Sequence, residues 1–496
     1  MFSEAFGVSL FARRPRFFGF GIVGRGGGRG FLGALREQFP SGAFAFQGEA
    51  LGYAPPFSMS EDLSTRELFD RYVIPTYGRF PLQLARGEGC RVWDEAGKDY
   101  LDFGAGIAVT SLGHCPPRVI AKMREQLGVL VHTSNLYYTR PQGLLAQKLV
   151  ETTGPGKVFF CNSGAEANEG LFKLARKFGN EAVGFAGGVL ASGEFVVSGR
   201  TEVVTMLGSF HGRTLAGIAA TGQDKVKKGF EPMVPGFRHA RFNDVAALTE
   251  ALESPATAGI LMETIQGESG IHPATAEFLR AARDLTEKRS MLLMFDEVQC
   301  GLGRTGWWNG WESIGSNVTP DAVSWAKGIA GGFPLGAFWV SSRPVQLKTG
   351  EIKPLCDLLG PGSHGTTFGG TPLVCAGALE VLSVIEEEGL LENARNVGAH
   401  ALKALRGLAS PWIREVRGVG LLIGIEVVGD FVERSRVGEG KTPSLYLVER
   451  LHEAGLLSVP SGTHTIRWLP PLNVTRAEVD EAVGLLAKVL GSLLAS

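Results

Sequence analysis

Three short segments hold side chains whose types and spacing could do chemistry. Cys161-Asn162-Ser163-Gly164-Ala165-Glu166-Ala167-Asn168 runs from apolar residues into small polar ones and then into a helical pattern. The first turn of such a helix has backbone N–H groups without intrahelical acceptors, and its dipole favours negative charge, so the junction suits a phosphate. An ordinary turn capped by Asn162 or Ser163 is the other use of the same residues. Met291-Leu292-Leu293-Met294-Phe295-Asp296-Glu297-Val298-Gln299 drives an apolar run into two acids. An acid at the carboxyl end of a buried parallel strand lies where α/β folds hold ligands, and its burial demands a cationic or hydrogen-bonding partner. A protonated pyridine nitrogen would satisfy Asp296 and keep the ring an electron sink for carbanion chemistry. A helix cap or a metal are the other uses, the metal disfavoured because no second ligand cluster stands nearby at the right spacing. Ser324-Trp325-Ala326-Lys327-Gly328-Ile329-Ala330-Gly331-Gly332 puts a lysine at the end of another apolar run, before a glycine turn. Most lysines are simply solvated, but a desolvated amine there would be nucleophilic. A phosphate cradle, a strand-end acid and a strand-end lysine stand in the order that a cofactor enzyme of this kind requires.

Two further segments bear on a bound ring and a bound acid. Phe210-His211-Gly212-Arg213-Thr214 offers an aromatic face for stacking and a guanidinium that can grip a carboxylate through two hydrogen bonds. A core Phe and a surface salt bridge would explain the same pair. Thr465-Ile466-Arg467-Trp468-Leu469-Pro470-Pro471 embeds an arginine among apolar residues, where an unpaired charge is costly and a partner such as Glu268 is expected. On the residues alone, a buried structural ion pair is the stronger reading of Arg467.

These side chains need strands that end together and helices that begin there. From Ser64 onward, helical patterns alternate with short apolar runs bounded by Gly, Pro or Asp, the pattern of an α/β fold with a mainly parallel sheet. Strands are predicted at Lys157–Cys161, Glu202–Leu207, Gly259–Glu263, Met291–Asp296 and Ala322–Ala326, with helices after Asn162 and over Thr275–Arg289. Past Pro372 the pattern changes to a long helix over Val374–Glu388, another helix, and short strands near Gly420–Glu426 and Thr465–Leu469. A second domain is predicted there.

At 496 residues and 44% hydrophobic, the chain can bury a deep core in more than one domain. A net charge of −1, from 49 basic and 50 acidic residues, offers no basic face for nucleic acid or anionic lipid; small or neutral partners fit better. Apolar runs stop well short of the roughly 20 residues of a membrane-spanning helix. The six cysteines lack CxxC or His-rich spacing, which argues against a disulfide framework or a zinc site and for a reducing compartment such as the cytoplasm. Residues 1–58 stand apart, with six Arg, no Lys, many Phe and a glycine cluster from Gly24 to Gly30. They are expected to be a disordered extension ahead of a start at Met59; an Arg-rich organellar leader is the alternative.

From about Leu68 to Val489 the chain resembles the class III (ω-amino) aminotransferases, and among them the acetylornithine aminotransferases. The resemblance rests on ordered phrases that include SNLYYTRPQGLLA, FCNSGAEANEG, FHGRT, METIQGESG, FDEVQCGLGRTG, WAKGIAGGFPLGA and HGTTFGG. It implies a type I aminotransferase fold, pyridoxal 5'-phosphate as cofactor, and a homodimer with active sites at the subunit boundary. Residues 59–125 would pack with the small domain, 126–380 would form the large cofactor-binding domain and 381–496 the small one. Carried over residue by residue, Gly164 and Ala165 would bind the phosphate, with Ser163 and Val298 among the cofactor contacts. Phe210 would stack on the ring, Asp296 would pair with its nitrogen, and Gln299 would contact its phenolic oxygen. Lys327 would join the cofactor as a Schiff base, and Thr367 would reach the phosphate of the neighbouring subunit. Arg213 would hold a substrate carboxylate, with Thr366 near the substrate. Glu268 would pair with Arg467, sheltering it while the long amino substrate binds and freeing it for the α-carboxylate of glutamate.

The activity so implied is ping-pong transamination of N2-acetyl-L-ornithine with 2-oxoglutarate, giving N-acetyl-L-glutamate 5-semialdehyde and L-glutamate in arginine biosynthesis. Ornithine, succinylornithine and 4-aminobutyrate aminotransferases are the nearest rivals, and an aminomutase a more distant one. Tyr77 keeps the ornithine enzymes in play, because a tyrosine at the matching place helps them hold the free amino-acid end. The chain departs from the family pattern at Gly113-His114-Cys115-Pro116-Pro117, which lacks one His, in a Gly/Ala-rich insertion between Phe178 and Glu202, and in a longer stretch between Lys327 and His364. Both insertions are expected to enlarge surface loops.

Overall fold

The apolar runs that end in acids become central strands because both faces of their sheet are covered. Every residue of Thr257–Glu263 and of Leu292–Asp296 is buried, which is why these strands read as continuous rather than alternating apolar runs. The computed structural model describes residues 63–185, 199–435 and 440–493. Residues 1–58, with the expected start at Met59, lie outside them. The chain divides into two units, Met1–Leu68 and Phe69–Ser496, and everything that follows belongs to the second.

Seven strands form the main sheet: β1 (Gly156–Cys161), β2 (Glu202–Met206), β3 (Phe237–Ala240), β4 (Thr257–Glu263), β5 (Leu292–Asp296), β6 (Ala322–Trp325) and β7 (Gly336–Ser341). Their order is β1-β7-β6-β5-β4-β2-β3. Strand β7 runs antiparallel to both of its neighbours, and the other pairings are parallel. The carboxyl ends of β4, β5 and β6 therefore lie side by side, with Asp296 in register with both Glu263 and Ser324. The predicted Leu207, Met291 and Ala326 fall just outside the observed strands.

Helix α1 (Gly164–Glu181) follows β1 directly. Ser163 stays extended and its Oγ accepts the N–H of Glu166 (3.2 Å), which starts the helix at Gly164. Its inner face buries Leu171, Phe172, Leu174 and Phe178 against the sheet, at about 1.5–3 kcal/mol for each large side chain. Helix α2 (Ala276–Lys288) begins after Thr275, whose Oγ1 accepts the N–H of Phe278 (3.1 Å). Past the sheet come α3 (Pro372–Glu387), with proline in its first turn, and α4 (Leu390–Gly407). The expected boundary at 380/381 falls inside α3.

Two smaller sheets complete the frame of the site. Ile413–Val419, Leu422–Val427, Thr465–Trp468 and Val459–Ser461 make an antiparallel sheet that buries Trp468 and carries Arg467. Leu84–Glu88, Arg91–Asp94 and Asp99–Asp102 make another, whose last member is the distant Leu456–Leu457.

The two insertions do more than enlarge loops. Ala182–Phe185 pairs with Pro344–Leu347, which in turn pairs with Ile352–Pro354. The strands hold because Phe185, Val345 and Leu347 are buried together and the Arg343 guanidinium lies 3.6 Å from the Phe185 ring centre. Residues 186–198 of the first insertion lie outside the described residues.

The packing of α1 on the sheet yields a stability test. A Cβ on Gly170 would come within 2.2 Å of the Phe338 ring, whereas one on Gly484 would meet nothing within 4 Å. Gly170→Ala should therefore lose about 1–3 kcal/mol through overpacking, while Gly484→Ala in helix Arg476–Ser492 should be neutral or gain up to about 1 kcal/mol. Thermal unfolding of the two variants checks the sign, and a Gly170→Ala variant as stable as Gly484→Ala would contradict this packing.

Candidate active site

The pocket opens at the carboxyl ends of the main sheet, where a helix start, two strand-end acids and a strand-end lysine converge. Its volume is about 430 Å³, and Asn162, Ser163, Gly164 and Ala165 form one wall. The first-turn N–H groups of Gly164 and Ala165 have no carbonyl one turn behind them. The wall is close-fitting: a Cβ on Gly164 would meet Val298 Cγ1 at 2.7 Å, and one on Gly212 would meet Ala165 Cβ at 2.9 Å. Asn162 is held by Glu166, whose Oε2 accepts both its backbone N–H (2.6 Å) and its Nδ2 (2.9 Å).

Asp296 occupies the floor and is only 3% exposed. Its Oδ2 accepts Nδ2 of Asn168 and Nδ1 of His211, both at 2.8 Å, and its Oδ1 accepts the N–H of Val298 at 3.1 Å. The hydroxyl of Ser324 donates to Asn168 Oδ1 (2.7 Å), which orients the amide. Beside it, Glu263 accepts the N–H groups of Phe210 and Gly267, both at 2.9 Å. Burial, and then the neighbouring Asp296 carboxylate, hold the Glu263 carboxyl above its ordinary range.

Lys327 has φ +48°, a left-handed backbone that a lysine rarely adopts, and its side chain lines the pocket. Burial pushes its amine down to about 8, the nearby positive charge of Arg467 adds to that, and Asp296 and Glu263 pull weakly the other way. Phe210 and Arg213 lie at the mouth, with the guanidinium 5.5 Å from the ring centre. Arg213 makes no ion pair among the described residues, so the surface salt bridge considered for it is not there.

The family model described as "Aminotransferase class-III" matches residues 72–490. The chain belongs to the class-III aminotransferases. The chain is 43% identical over 439 residues to the acetylornithine aminotransferase of Thermosynechococcus vestitus, an overlap of 86% of this chain and 97% of that one. It is 41% identical to the acetylornithine aminotransferase of Methanocaldococcus jannaschii, over 85% of this chain and 97% of that one. Among solved structures, the ornithine aminotransferase of Toxoplasma gondii matches with a TM-score of 0.75 and 32% identity, over 87% of this chain and 96% of that one; it is described with partial occupancy of pyridoxal phosphate at its active site. The acetylornithine aminotransferase of Elizabethkingia anophelis matches with a TM-score of 0.71 and 32% identity, over 86% of this chain and 98% of that one.

Tyr77, Thr366, Thr367 and Arg467 do not line this pocket, Thr367 being the residue expected at the neighbouring subunit's phosphate, and one expected contact is absent. Tyr77 is exposed and does not line the pocket; its ring lies 5.7 Å from the Arg79 guanidinium carbon. Thr366 sits behind the wall formed by Asn162–Ala165, its Oγ1 accepting Nδ2 of Asn162 and the N–H of Gly369, both at 3.2 Å. Thr367 is exposed and lines a separate small recess with His132 and Tyr137. Glu268 does not pair with Arg467. Its Oε1 accepts Lys225 Nζ at 2.9 Å, while Arg467 Nη1 donates to Gly267 O (3.0 Å) and to Gln299 Oε1 (3.1 Å). Arg467 is thus met by two neutral oxygens, and Gln299 holds a guanidinium.

The aminotransferase site also uses residues whose roles the sequence did not announce. Glu263 is a buried strand-end acid like Asp296, and the same reasoning applied to METIQGESG would have found it. Asn168 lies one helical turn beyond Gly164, and His211 adjoins Phe210; their shared contact to Asp296 crosses three elements and leaves no local signal.

Glu297, next to Asp296, faces the other side of the strand. It accepts the Thr264 hydroxyl (2.8 Å) and the N–H of Gly310 (2.5 Å), and burial pushes its carboxyl up to about 7. The folded enzyme keeps this proton until about pH 7, whereas the unfolded chain releases it near 4.5, so stability falls as pH rises through that window. Glu297→Gln should reduce the loss of thermal stability between about pH 5 and pH 7. An unchanged pH slope would show that this proton does not contribute.

Proposed function

We propose that the enzyme transfers the terminal amine of N2-acetyl-L-ornithine to 2-oxoglutarate, forming N-acetyl-L-glutamate 5-semialdehyde and L-glutamate in arginine biosynthesis. The observation that carries this reading is the convergence of Lys327, Asp296 and the α1 start in one pocket, with Arg213 and Glu268 at its edge. Relatives named acetylornithine aminotransferase, at more than 40% identity over most of the chain, support the choice of amino donor.

The donor set fits pyridoxal 5'-phosphate. The α1 N-terminus offers N–H groups and positive potential to a phosphate, Phe210 offers a ring face, and Asp296 offers a buried anion to a pyridinium. Ser163, Gly164, Ala165 and Val298 would hold the group, and Lys327 would join it covalently. When bound, it supplies an aldehyde and a ring that takes up electron density from the substrate carbon. The protein does the rest. His211 and Asn168 hold Asp296 in place by donating to it, and Lys327 Nζ carries a proton to and from the substrate carbon that bears the amine. Arg213 grips the distal carboxylate of glutamate, and Arg467 takes its α-carboxylate once Glu268 stands clear.

The enzyme is read as a cytoplasmic homodimer with a large domain over 126–380 and a small one over 381–496. The exposed apolar residues Val129, Val131, Leu136, Tyr137 and Tyr138 lie in the segment that forms the recess beside Thr367, which supports a second copy there and a role for Thr367 at its phosphate. Among the described residues, no helix is long and apolar enough to cross a membrane.

Titrating the yellow enzyme with N2-acetyl-L-ornithine should bleach its visible absorbance, and 2-oxoglutarate should restore it. A marked preference for free L-ornithine would overturn the donor. Lys327→Ala should lower kcat by about 10²–10⁴-fold or more and abolish the covalent attachment, and turnover near the wild-type rate would refute its role.

A further inference from the structure

We propose that Lys225 is a positioning residue that sets specificity: it holds Glu268 away from Arg467 and so keeps Arg467 open to the α-carboxylate of the dicarboxylic substrate. This rests on the roles of Glu268 and Arg467 proposed above.

One carboxylate stands between two cations. Glu268 Oε1 accepts Lys225 Nζ at 2.9 Å. Glu268 Oε2 is buried without a hydrogen-bond partner, and so is Arg467 Nε. A direct Glu268–Arg467 pair would satisfy groups on both sides, so its absence calls for a competing attraction, and the Lys225 ammonium is the cation on Glu268.

The backbones that carry the competitors are pinned. Gly267 N–H donates to Glu263 Oε2 (2.9 Å), and the Ser461 hydroxyl lies 2.9 Å from the carbonyl oxygens of both Gly267 and Glu268, its one proton shared between them. On the other side, Gln223 Nε2 donates to Ser209 O (3.0 Å), and Val226 is buried beneath the turn Asp224–Val226 that bears Lys225. Any exchange of Glu268 between the two cations would therefore run through side-chain rotation and not backbone movement. The two partners differ as a toggle requires. Arg467 is buried and fixed by Gly267 and Gln299, whereas Lys225 is exposed, and a solvated ammonium pair is weak and screened by salt. Lys225 biases Glu268 without locking it, and an acylated amine donor that leaves Arg467 unused can still draw the carboxylate back.

The test measures both half reactions and, separately, the Kd of glutarate, an unreactive dicarboxylate, by calorimetry on the holoenzyme. Lys225→Gln should raise the Michaelis constant for the oxo-acid acceptor and the Kd of glutarate by roughly two- to fivefold, the range of an exposed ion pair, while kcat and the Michaelis constant for the acylated amine donor change less than about twofold. Lys225→Arg should restore both values. In a Glu268→Ala background, Lys225→Gln should have no further effect. If Glu268→Ala shifts the preference between substrates but Lys225→Gln does not, or if the Lys225 effect persists without Glu268, this inference fails and the gate stands. If Glu268→Ala leaves the preference unchanged, the gate itself fails and the inference with it.

Discussion

The site depends on a carboxylate held in a place where charge is expensive. Asp296 is nearly fully buried at the end of a central strand, and its desolvation is offset by three donors: the His211 ring, the Asn168 amide and the Val298 backbone. Each donor comes from a different element, so α1, the segment after β2 and the turn after β5 must be in register before Asp296 is satisfied. The sheet order supplies that register. Parallel β4, β5 and β6 bring their carboxyl ends together, α1 starts from the end of β1, and the loop after β2 returns across the same edge.

Neighbouring acids take different fates because strand side chains alternate. Asp296 faces the pocket; Glu297 faces Thr264 and Gly310. The first has three donors, whereas the second has two neutral donors and burial. Its carboxyl accordingly rises to about 7. One dipeptide thereby places one carboxylate in the pocket and the other against the strand end. Glu263, side by side with Asp296 in the sheet, is raised for a further reason: two carboxylates this close resist ionising together.

Most of the frame was legible in the sequence because it is written locally. The apolar runs of β4, β5 and β6 and the cap at Thr275 can be read from a few consecutive residues, and so can the start of α1. Side chains whose roles depend on distant elements were not. The strands Ala182–Phe185 and Pro344–Leu347 are too short to declare themselves and exist through pairing across about 160 residues. The sequence shows which charges are available to Glu268 but not which cation it meets in this structure; Lys225, 43 residues upstream, reaches it. Likewise, nothing beside Gln299 indicates that its carbonyl faces a guanidinium.

Arg467 shows how that omission shapes the chemistry. A buried guanidinium paired with a carboxylate would be electrically finished, and a substrate acid would have to displace a protein group to reach it. Here the two hydrogen-bond contacts are the carbonyls of Gly267 and Gln299, which fix the plane of the group; burial pulls its pKa down to about 10, and the Glu268 and Glu263 carboxylates offset only part of that. The same residual charge helps hold the Lys327 amine down to about 8. On the role proposed for Arg467, a substrate carboxylate arriving there would offset that field, and the free amine of Lys327 would become more basic as the acid binds. Recognition of the carboxylate and the readiness of Lys327 to take a proton would then be coupled through one charge, and a permanent internal salt bridge at Arg467 would remove both the binding energy and the coupling.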